Sequence, residues 1–338
     1  MTGHRPGAVQ LPPPPALGTV DHALWAARRC TCHTGTPRPV SLSRWAAVLG
    51  HARGIGPFEA RPGECPGLLG HMAETRLTAG ADTSVTPGCY AYDPVAHRLV
   101  PMRIDHARAY DGALALQLGD GAGETAARVR LVAAACGLCA HAAGPDTLLL
   151  YASSATAPTP GGMEDALAAL PVEPPVYTAA PGRLAASDLL TLLREAAPEP
   201  PYRLTVRSVD GMDPGVYRAD TAQRPLEPVW RGPTAPYAHV LTRGGHPAAA
   251  ALAAAAAIVH LVGGRGAPRA AEALRVRVAA SAAGLTAWCD DAPTPAAAAL
   301  LGLIPGVDDV ACHITLGHAP PEPRLRIPVR LATSGAQP

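Results

Sequence analysis

Two clusters of cysteine and histidine have residue types and spacings that could hold a metal ion. Cys30-x-Cys32-His33 lies near the N-terminus, and Cys136-x-x-Cys139-x-His141 lies further along the chain. Structural zinc takes four N or S ligands, usually from two such pairs with a tight turn within each pair. The second cluster flanks Gly137 at a predicted helix end that recurs around Gly284 without cysteine. We therefore interpret the cysteines as small residues of an alanine-rich core and expect no metal.

Arginine is the only strongly cationic residue, because the chain contains no lysine. A lysine base, a lysine Schiff base and a lysine phosphate ligand are therefore excluded. Any proton transfer would fall to tyrosine, histidine or glutamate. The eight cysteines stand in a chain without a visible export signal, which predicts thiols rather than disulfides.

Two pairs of segments suggest that the chain repeats itself. Residues 87–102 read PGCYAYDPVAHRLVPM, and residues 214–229 read PGVYRADTAQRPLEPV. Arg-Val-Arg occurs at 128–130 and again at 275–277. In both copies Gly-Leu follows at the same spacing, at 137–138 and at 284–285. Matched pairs in the same order, at so long a period, predict a domain duplication and not a solenoid. A duplicated chain often imitates a homodimer, so a functional site is expected at the seam between the halves.

Hydrophobic spacing and turn residues predict the elements that would position these groups. Helices are predicted from about Asp21 and over 41–49, 124–140, 184–195 and 272–288. Strands are predicted over 202–208, 257–262 and 309–316, and hairpins over 90–102 and 215–229. Because helices and strands interleave without regular βαβ spacing, the prediction is an α+β fold.

Proline- and glycine-rich stretches give the predicted domain organisation. Residues 1–20 contain four consecutive prolines and are expected to form an extended or disordered arm. Residues 21–152 form the first half, residues 153–182 a linker, and residues 183–330 the second half. The halves are expected to be pseudo-symmetric and to form an intramolecular pseudo-dimer.

Bulk composition excludes several classes of function. The net charge is +1, which leaves no electrostatic footprint for nucleic acid. The longest apolar stretch, residues 247–262, is too short and too rich in alanine to span a bilayer. The N-terminus lacks the pattern of a signal peptide, so we expect a cytoplasmic protein with no membrane partner.

Several motifs, in order along the chain, resemble the nitroreductase-like flavoproteins. They are Arg28-Arg29-Cys30-Thr31-Cys32-His33, Gly88-Cys89-Tyr90-Ala91-Tyr92-Asp93-Pro94, the stretch from Val209 to Arg218, and the runs AAGLTAWCDD and LLGLIPGVDDVACHITLG. The resemblance is to the SagB-type, thiazole/oxazole-forming peptide dehydrogenases, and it is scattered over most of the chain.

The resemblance implies a binding site for FMN. In the family FMN lies between two protomers, and the opening Arg/Ser motif, here Arg28, Arg29 and Cys30, binds its phosphate. Thr78-Ala79-Gly80 resembles the Ser-Ala-Gly loop that flanks the flavin. Gly284 and Leu285 resemble the Gly-Leu turn beside the ring, where a backbone N–H could meet flavin N5.

The chain departs from the family pattern at several positions. The motif serine is Cys30, the catalytic lysine and the helix asparagine are absent, and the second half has no opening arginine motif. At most one of two pseudo-equivalent flavin sites is therefore expected to work. Structural alternatives also stand: a solvated pair at a helix end for Arg28 and Arg29, a helix cap for Gly284, and a cross-strand aromatic for Tyr90.

The resemblance implies FMN-dependent oxidation of azolines to azoles in a ribosomally synthesised precursor peptide. Such azolines are left by a cyclodehydratase, which would be a biosynthetic partner. Tyr90 and His33 are the candidate bases. The alternative is a flavin-free protein of the same fold that acts as a peptide-binding scaffold or was recruited to another reaction. A nitro-compound or quinone reductase that uses NAD(P)H is a third hypothesis.

Overall fold

The chain divides into two compact units, Met1–Ala168 with Pro323–Pro338, and Ala169–Glu322. The structure is a computed structural model. It describes residues 7–29, 40–52, 59–60, 76–79, 85–86, 88–93, 96–102, 114–117, 123–144, 147–152, 161–171, 174–177, 184–219, 226–242, 248–264, 267–320 and 325–326.

The first unit combines helices with an antiparallel sheet. Its elements are β1 (Val9–Gln10), α1 (Val20–Arg29), α2 (Leu42–His51), β2 (Glu59–Ala60), β3 (Arg76–Ala79), β4 (Gly88–Asp93), β5 (Arg98–Pro101), β6 (Leu114–Gln117), α3 (Gly123–Ala135), β7 (Leu138–Ala142), β8 (Thr147–Ala152) and α4 (Met163–Ala168). The strand order in the sheet is β1-β5-β4-β3-β6-β8-β7. Helix α3 packs against both α1 and α2, where Leu24, Trp45 and Val132 are buried.

The described part of the proline-rich arm, residues 7–19, is extended. Strand β1 pairs with β5, and the Leu11 and Leu17 side chains are buried. Two histidine rings form hydrogen bonds to proline carbonyls of the arm. His97 Nε2 donates to Pro12 O at 3.0 Å, and His51 Nε2 donates to Pro15 O at 2.9 Å. These bonds supply partners for carbonyls that no sheet ladder pairs.

The second unit also combines helices with an antiparallel sheet. Its elements are β9 (Leu184–Ala185), α5 (Ala186–Ala196), β10 (Tyr202–Val206), β11 (Val209–Asp210), β12 (Gly215–Ala219), β13 (Glu227–Arg231), a 3₁₀ turn (Ala235–Tyr237), α6 (Ala238–Leu241), α7 (Ala248–Ala254), β14 (Ala257–Val262), α8 (Ala267–Ala282), β15 (Thr286–Asp290), α9 (Pro295–Leu300) and β16 (Val310–Gly317). A last strand, β17 (Leu325–Arg326), belongs to the first unit, where it pairs with β2.

The main sheet of the second unit has the order β13-β12-β10-β14-β16-β15, and every neighbouring pair is antiparallel. Helix α8 packs on β15, β16 and α5. A buried apolar cluster joins Ile258, Val262 and Trp288 of the sheet to the short helices α6, α7 and α9. Strand side chains alternate between faces, so every second residue of β14 points into this cluster.

The two sheets share one strand order over six strands. The first, β5-β4-β3-β6-β8-β7, corresponds strand for strand to β13-β12-β10-β14-β16-β15 of the second. The register also agrees, because Leu77 pairs with Tyr90 in one sheet and Leu204 pairs with Tyr217 in the other. Each unit also places its long helix immediately before its edge strand, α3 before β7 and α8 before β15.

The structure confirms most predicted elements and corrects the ends of two helices. The helices predicted over 124–140 and 272–288 end instead at Ala135 and Ala282, and strands follow. The cause is Gly137 and Gly284, whose φ angles of 70° and 75° stop each helix with a left-handed residue. Alanine-rich sequence on both sides of these glycines hid the change from helix to strand.

Candidate functional site

The predicted phosphate ligands lie at the C-terminal end of α1. Arg28 and Arg29 are the last two residues of this helix, which packs against α3 and α4 of the same unit. Their side chains lie outside the described part of the structure, as do Cys30 and His33. The helix therefore fixes the backbone position of the arginine pair, and their phosphate contact stays a prediction.

A small cavity in the first unit reaches Ala27, in the last turns of α1. It has a volume of about 130 Å³ and is lined by Ala27, Arg130, Ala134, Leu138 and Ala140. The Nε of Arg130 is buried and, within the described part of the chain, has no hydrogen-bond partner. Because an unpaired buried N–H is costly, a bound acceptor would be stabilising at this point.

The size of this cavity limits what could enter it. Pockets that enclose whole cofactors usually measure about 300–1,000 Å³, so this cavity fits a small anionic group and not a flavin ring. Ala27 immediately precedes Arg28, which places the unpartnered Nε of Arg130 close to the end of α1. The residues present here fit the phosphate group of FMN.

The turn at Gly284 is a helix cap. The N–H of Leu285 donates to Ala280 O at 2.9 Å, and the N–H of Gly284 donates to Ser281 O at 3.0 Å. The first of these is the bond of a Schellman motif, which satisfies the last carbonyls of a helix. Both amides are therefore used within the protein, and a contact between this turn and a flavin stays a prediction.

The predicted Ser-Ala-Gly-like loop is not a loop at its first two residues. Thr78 and Ala79 belong to β3, which pairs with β4 on one side and β6 on the other. Gly80 lies outside the described residues. A strand between two neighbours has its backbone N–H groups in the ladder, and the contact of Ala79 and Gly80 with a flavin stays a prediction.

Tyr90 has a structural partner inside the first unit. Its side chain is fully buried, and its hydroxyl donates to Thr86 O at 2.6 Å. Tyr217 makes the matching bond in the second unit, to Asp213 O at 2.8 Å. Burial raises the pKa of both hydroxyls. The ionised form, which could act as a base, is therefore rarer at neutral pH. A catalytic role for Tyr90 stays a prediction.

A pair of histidines that the sequence did not single out as a site lies at the centre of the second unit. His260 of β14 and His313 of β16 face each other across the ladder, and both are fully buried. Their Nδ1 atoms are 2.7 Å apart. His260 Nε2 lies 2.8 Å from Thr205 Oγ1, and His313 Nε2 lies 2.9 Å from Leu241 O.

These contacts fix the tautomer of each ring. A carbonyl only accepts, so His313 Nε2 carries a proton and, in the neutral ring, His313 Nδ1 is an acceptor. His260 Nδ1 must then donate to it, which leaves His260 Nε2 to accept from the Thr205 hydroxyl. With both rings neutral, all four ring nitrogens have partners.

Electrostatics favour the same neutral state. Burial lowers the pKa of both imidazoles, and His313, Arg207 and Arg203 lower that of His260 further. The bond to Leu241 and the charge of Asp290 oppose the shift at His313 without reversing it. The pair is therefore a hydrogen-bonded part of the core and not a proton donor to solvent.

The histidine pair is the centre of a buried polar row across the sheet. Arg203 stands opposite His260, and Asp290 stands opposite His313. Arg203 Nε donates to Leu301 O at 3.2 Å, and Asp290 Oδ1 accepts from the N–H of Ala292 at 3.2 Å. A single histidine in an apolar strand was the only sequence signal, because the register that aligns the row is set by the fold.

No group of three or more His, Cys, Asp or Glu side chains in the described part of the chain is arranged to hold a metal ion. None of the five described cysteines takes part in a disulfide. Among the described helices, none has the length and apolar character needed to cross a membrane.

Comparison with known proteins supports the fold. No protein-family model and no curated protein matches the sequence. A crystal structure of a protein from Anabaena variabilis assigned to the nitroreductases matches with a TM-score of 0.63 and 13% identity, over 95% of this chain and 93% of that one.

Two further structures overlap in part. A chain of the E. coli microcin synthetase McbBCD complex with truncated pro-MccB17 bound gives a TM-score of 0.37 and 15% identity, over 45% of this chain and 70% of that one. A nitroreductase family protein from Clostridium novyi gives 0.32 and 12%, over 47% and 85%. From the Anabaena match, which covers nearly the whole chain, we conclude that this protein has a nitroreductase-like α+β fold.

Proposed function

We propose that this protein is an FMN-dependent dehydrogenase that oxidises azolines to azoles in a ribosomally synthesised peptide. The observation that carries the proposal is the arginine pair at the end of α1, beside a cavity with an unpartnered Arg130 Nε, in a nitroreductase-like fold. The peptide and the ring chemistry rest on the sequence resemblance alone.

Each residue near this site has a defined task in the proposal. Arg28 and Arg29 bind the phosphate of FMN, and Arg130 donates its Nε–H from the cavity side. FMN, when bound, supplies a hydride acceptor. A base must also remove a proton from the substrate ring. Because the Tyr90 hydroxyl is buried and already donates to Thr86 O, His33 is the better candidate.

We further propose that the two units are tandem copies of one ancestral half. The shared order of six strands and the matching Tyr90 and Tyr217 bonds support this. An intramolecular pseudo-dimer of the copies stays a prediction. The partner that supplies the substrate would be a cyclodehydratase, since azolines arise by loss of water from a peptide.

The decisive experiment is a visible absorption spectrum of the purified, desalted protein followed by titration with FMN. We expect flavin bands, or saturable FMN binding, that an Arg28→Ala/Arg29→Ala variant loses. Arg194→Ala is the matched control, because Arg194 is an exposed arginine in the last turn of another helix, α5. A colourless protein that ignores added FMN would overturn the flavin proposal.

The alternative is a flavin-free, peptide-binding protein of the same fold. One observation favours it: the amides of Gly284 and Leu285, which the resemblance places beside the flavin ring, both donate within the protein. In this case the wild-type chain and the double-arginine variant would both show no flavin bands. Binding of a precursor peptide, measured without FMN, would then support the scaffold function.

A further inference from the structure

Arg207, the residue after β10 in the second unit, is half-buried, and no carboxylate of the described residues balances its charge. Its Nε donates to Thr234 Oγ1 at 2.9 Å, which fixes the plane of the guanidinium group. Nη1 and Nη2 are both buried and have no hydrogen-bond partner among the residues that the structure describes. Four N–H donors are therefore unsatisfied on one side chain.

A cleft lies against this side chain. It has a volume of about 380 Å³ and is lined by Arg207, Asp213, Pro214, Arg231, Gly232, Pro233, Thr234 and Ala235. Its volume is in the range of small-molecule sites. The walls are mostly carbon, from two prolines and an alanine, and the charged groups are confined to three side chains.

The carboxylate in the lining does not balance Arg207. Asp213 forms an ion pair with Arg231 at 3.1 Å, and both of those side chains are mostly exposed. The lining therefore carries two positive charges and one negative charge, which leaves one positive charge at Arg207. Burial lowers the pKa of Arg207 to about 10, so the group is still charged at neutral pH.

A buried charge without a partner is unfavourable unless something binds it. We propose that this cleft binds a carboxylate on an apolar body, with Nη1 and Nη2 of Arg207 as the donors. Two parallel N–H groups of a guanidinium match the two oxygens of a carboxylate. A single net positive charge fits a monoanion, and Pro214, Pro233 and Ala235 fit an apolar body. The site is independent of the proposed flavin chemistry, because it uses none of the same residues.

The direct test is a calorimetric titration of the full-length protein with benzoate, and with benzamide as the uncharged analogue. We expect saturable benzoate binding that Arg207→Gln abolishes and that Arg194→Gln, an exposed arginine in the same unit, leaves unchanged. Thr234→Val, which removes the acceptor that orients Nε, should weaken binding several-fold. Equal binding of benzamide, equal binding by R207Q, or no binding of benzoate would each overturn the proposal.

Thermal unfolding separates a binding role from a structural one. Without ligand, R207Q should unfold at the same temperature as the wild type or higher, since it removes an unbalanced buried charge. Benzoate should raise the midpoint of the wild type and not that of R207Q. A lower midpoint for R207Q in buffer would mean that the guanidinium group holds the fold together, and would overturn the proposal.

The source of the carboxylate follows from a second titration. N-benzoylglycine carries the carboxylate at the end of a peptide unit, whereas benzoate carries it directly on the ring. Tighter binding of N-benzoylglycine assigns the cleft to a peptide C-terminus. Tighter binding of benzoate assigns it to a small free carboxylate.

Discussion

At the scale of single residues, the fully buried His260–His313 pair makes the second unit dependent on pH. Both rings are neutral in the folded protein, and the contact between their Nδ1 atoms has room for only one proton. In the unfolded chain each ring titrates near its ordinary pKa of 6.5. The unfolded state therefore binds more protons than the folded state below this pH.

The free energy of unfolding should consequently fall as pH drops below about 6.5, by at most about 1.4 kcal/mol per pH unit for each ring. Urea unfolding at pH 7.5, 6.5 and 5.5 checks this. A His260→Gln/His313→Gln variant should lose most of the pH dependence, whereas His239→Gln, at an exposed position, should keep it. The same slope in all three proteins would contradict the prediction.

Tyr90 and Tyr217 offer a paired test, because each hydroxyl donates to a main-chain carbonyl in the turn before its strand. Tyr90→Phe and Tyr217→Phe each remove one such bond and leave the ring in place. We expect each to lower the free energy of unfolding by roughly 1 kcal/mol. FMN binding, measured by titration, should not change for Tyr217→Phe. A loss of FMN binding confined to Tyr90→Phe would instead support a role for Tyr90 in the site.

At the scale of elements, the motif Pro-Gly-x-Tyr lies in two different backbone environments. Pro-Gly-x-Tyr opens both β4 and β12, but the two glycines are not equivalent. A Cβ on Gly215 would lie 2.4 Å from Trp230 O, where β12 and β13 pair closely beside a register shift. A Cβ on Gly88 would meet only the Tyr90 ring, at 3.7 Å and beyond.

Gly215→Ala should therefore destabilise the protein strongly, because the β12–β13 pair must separate to admit a methyl group. Gly88→Ala should have a small effect, since 3.7 Å is an ordinary contact. Chemical denaturation of the two variants beside the wild type measures the difference. Equal losses would mean that the tight approach at Gly215 relaxes at little cost.

At the scale of the whole molecule, two units with one strand order differ in what they bury. The pairing that brings Arg203 to His260 in the second sheet brings Arg76 to Gln117 in the first. The pairing that brings His260 to His313 brings Gln117 to Thr147. The buried histidine pair therefore has no counterpart at the matched positions of the first unit.

This difference predicts that acid opens the units unequally. Between pH 7.5 and 5.5, amide hydrogen-exchange protection should fall in β14 and β16, where the histidines must remain neutral. Protection in β6 and β8 should change little, because Gln117 and Thr147 do not titrate in this range. Equal losses of protection in both sheets would show that the histidine pair does not control the response.

The order of residues along the chain is sufficient to predict the local elements and the fold class. Apolar spacing placed α2, β10 and β14, and Ser41, the first residue of the predicted helix, caps α2, with its hydroxyl accepting from the N–H of Arg44. Gly284 was correctly predicted as a helix cap. Such features depend on neighbours in the chain, so the residue order is sufficient to find them.

Which residues distant in sequence come into contact depends on the folded arrangement of the strands. His260 and His313 are far apart in sequence, and each alone has no pattern that marks it. Antiparallel register brings them together, with Arg203 and Asp290 on either side. The surroundings of Arg207 are likewise set by the fold, which places its guanidinium group against Thr234 and the turn after β13. Burial and long-range pairing are properties of the folded chain, and they set the chemistry of these side chains.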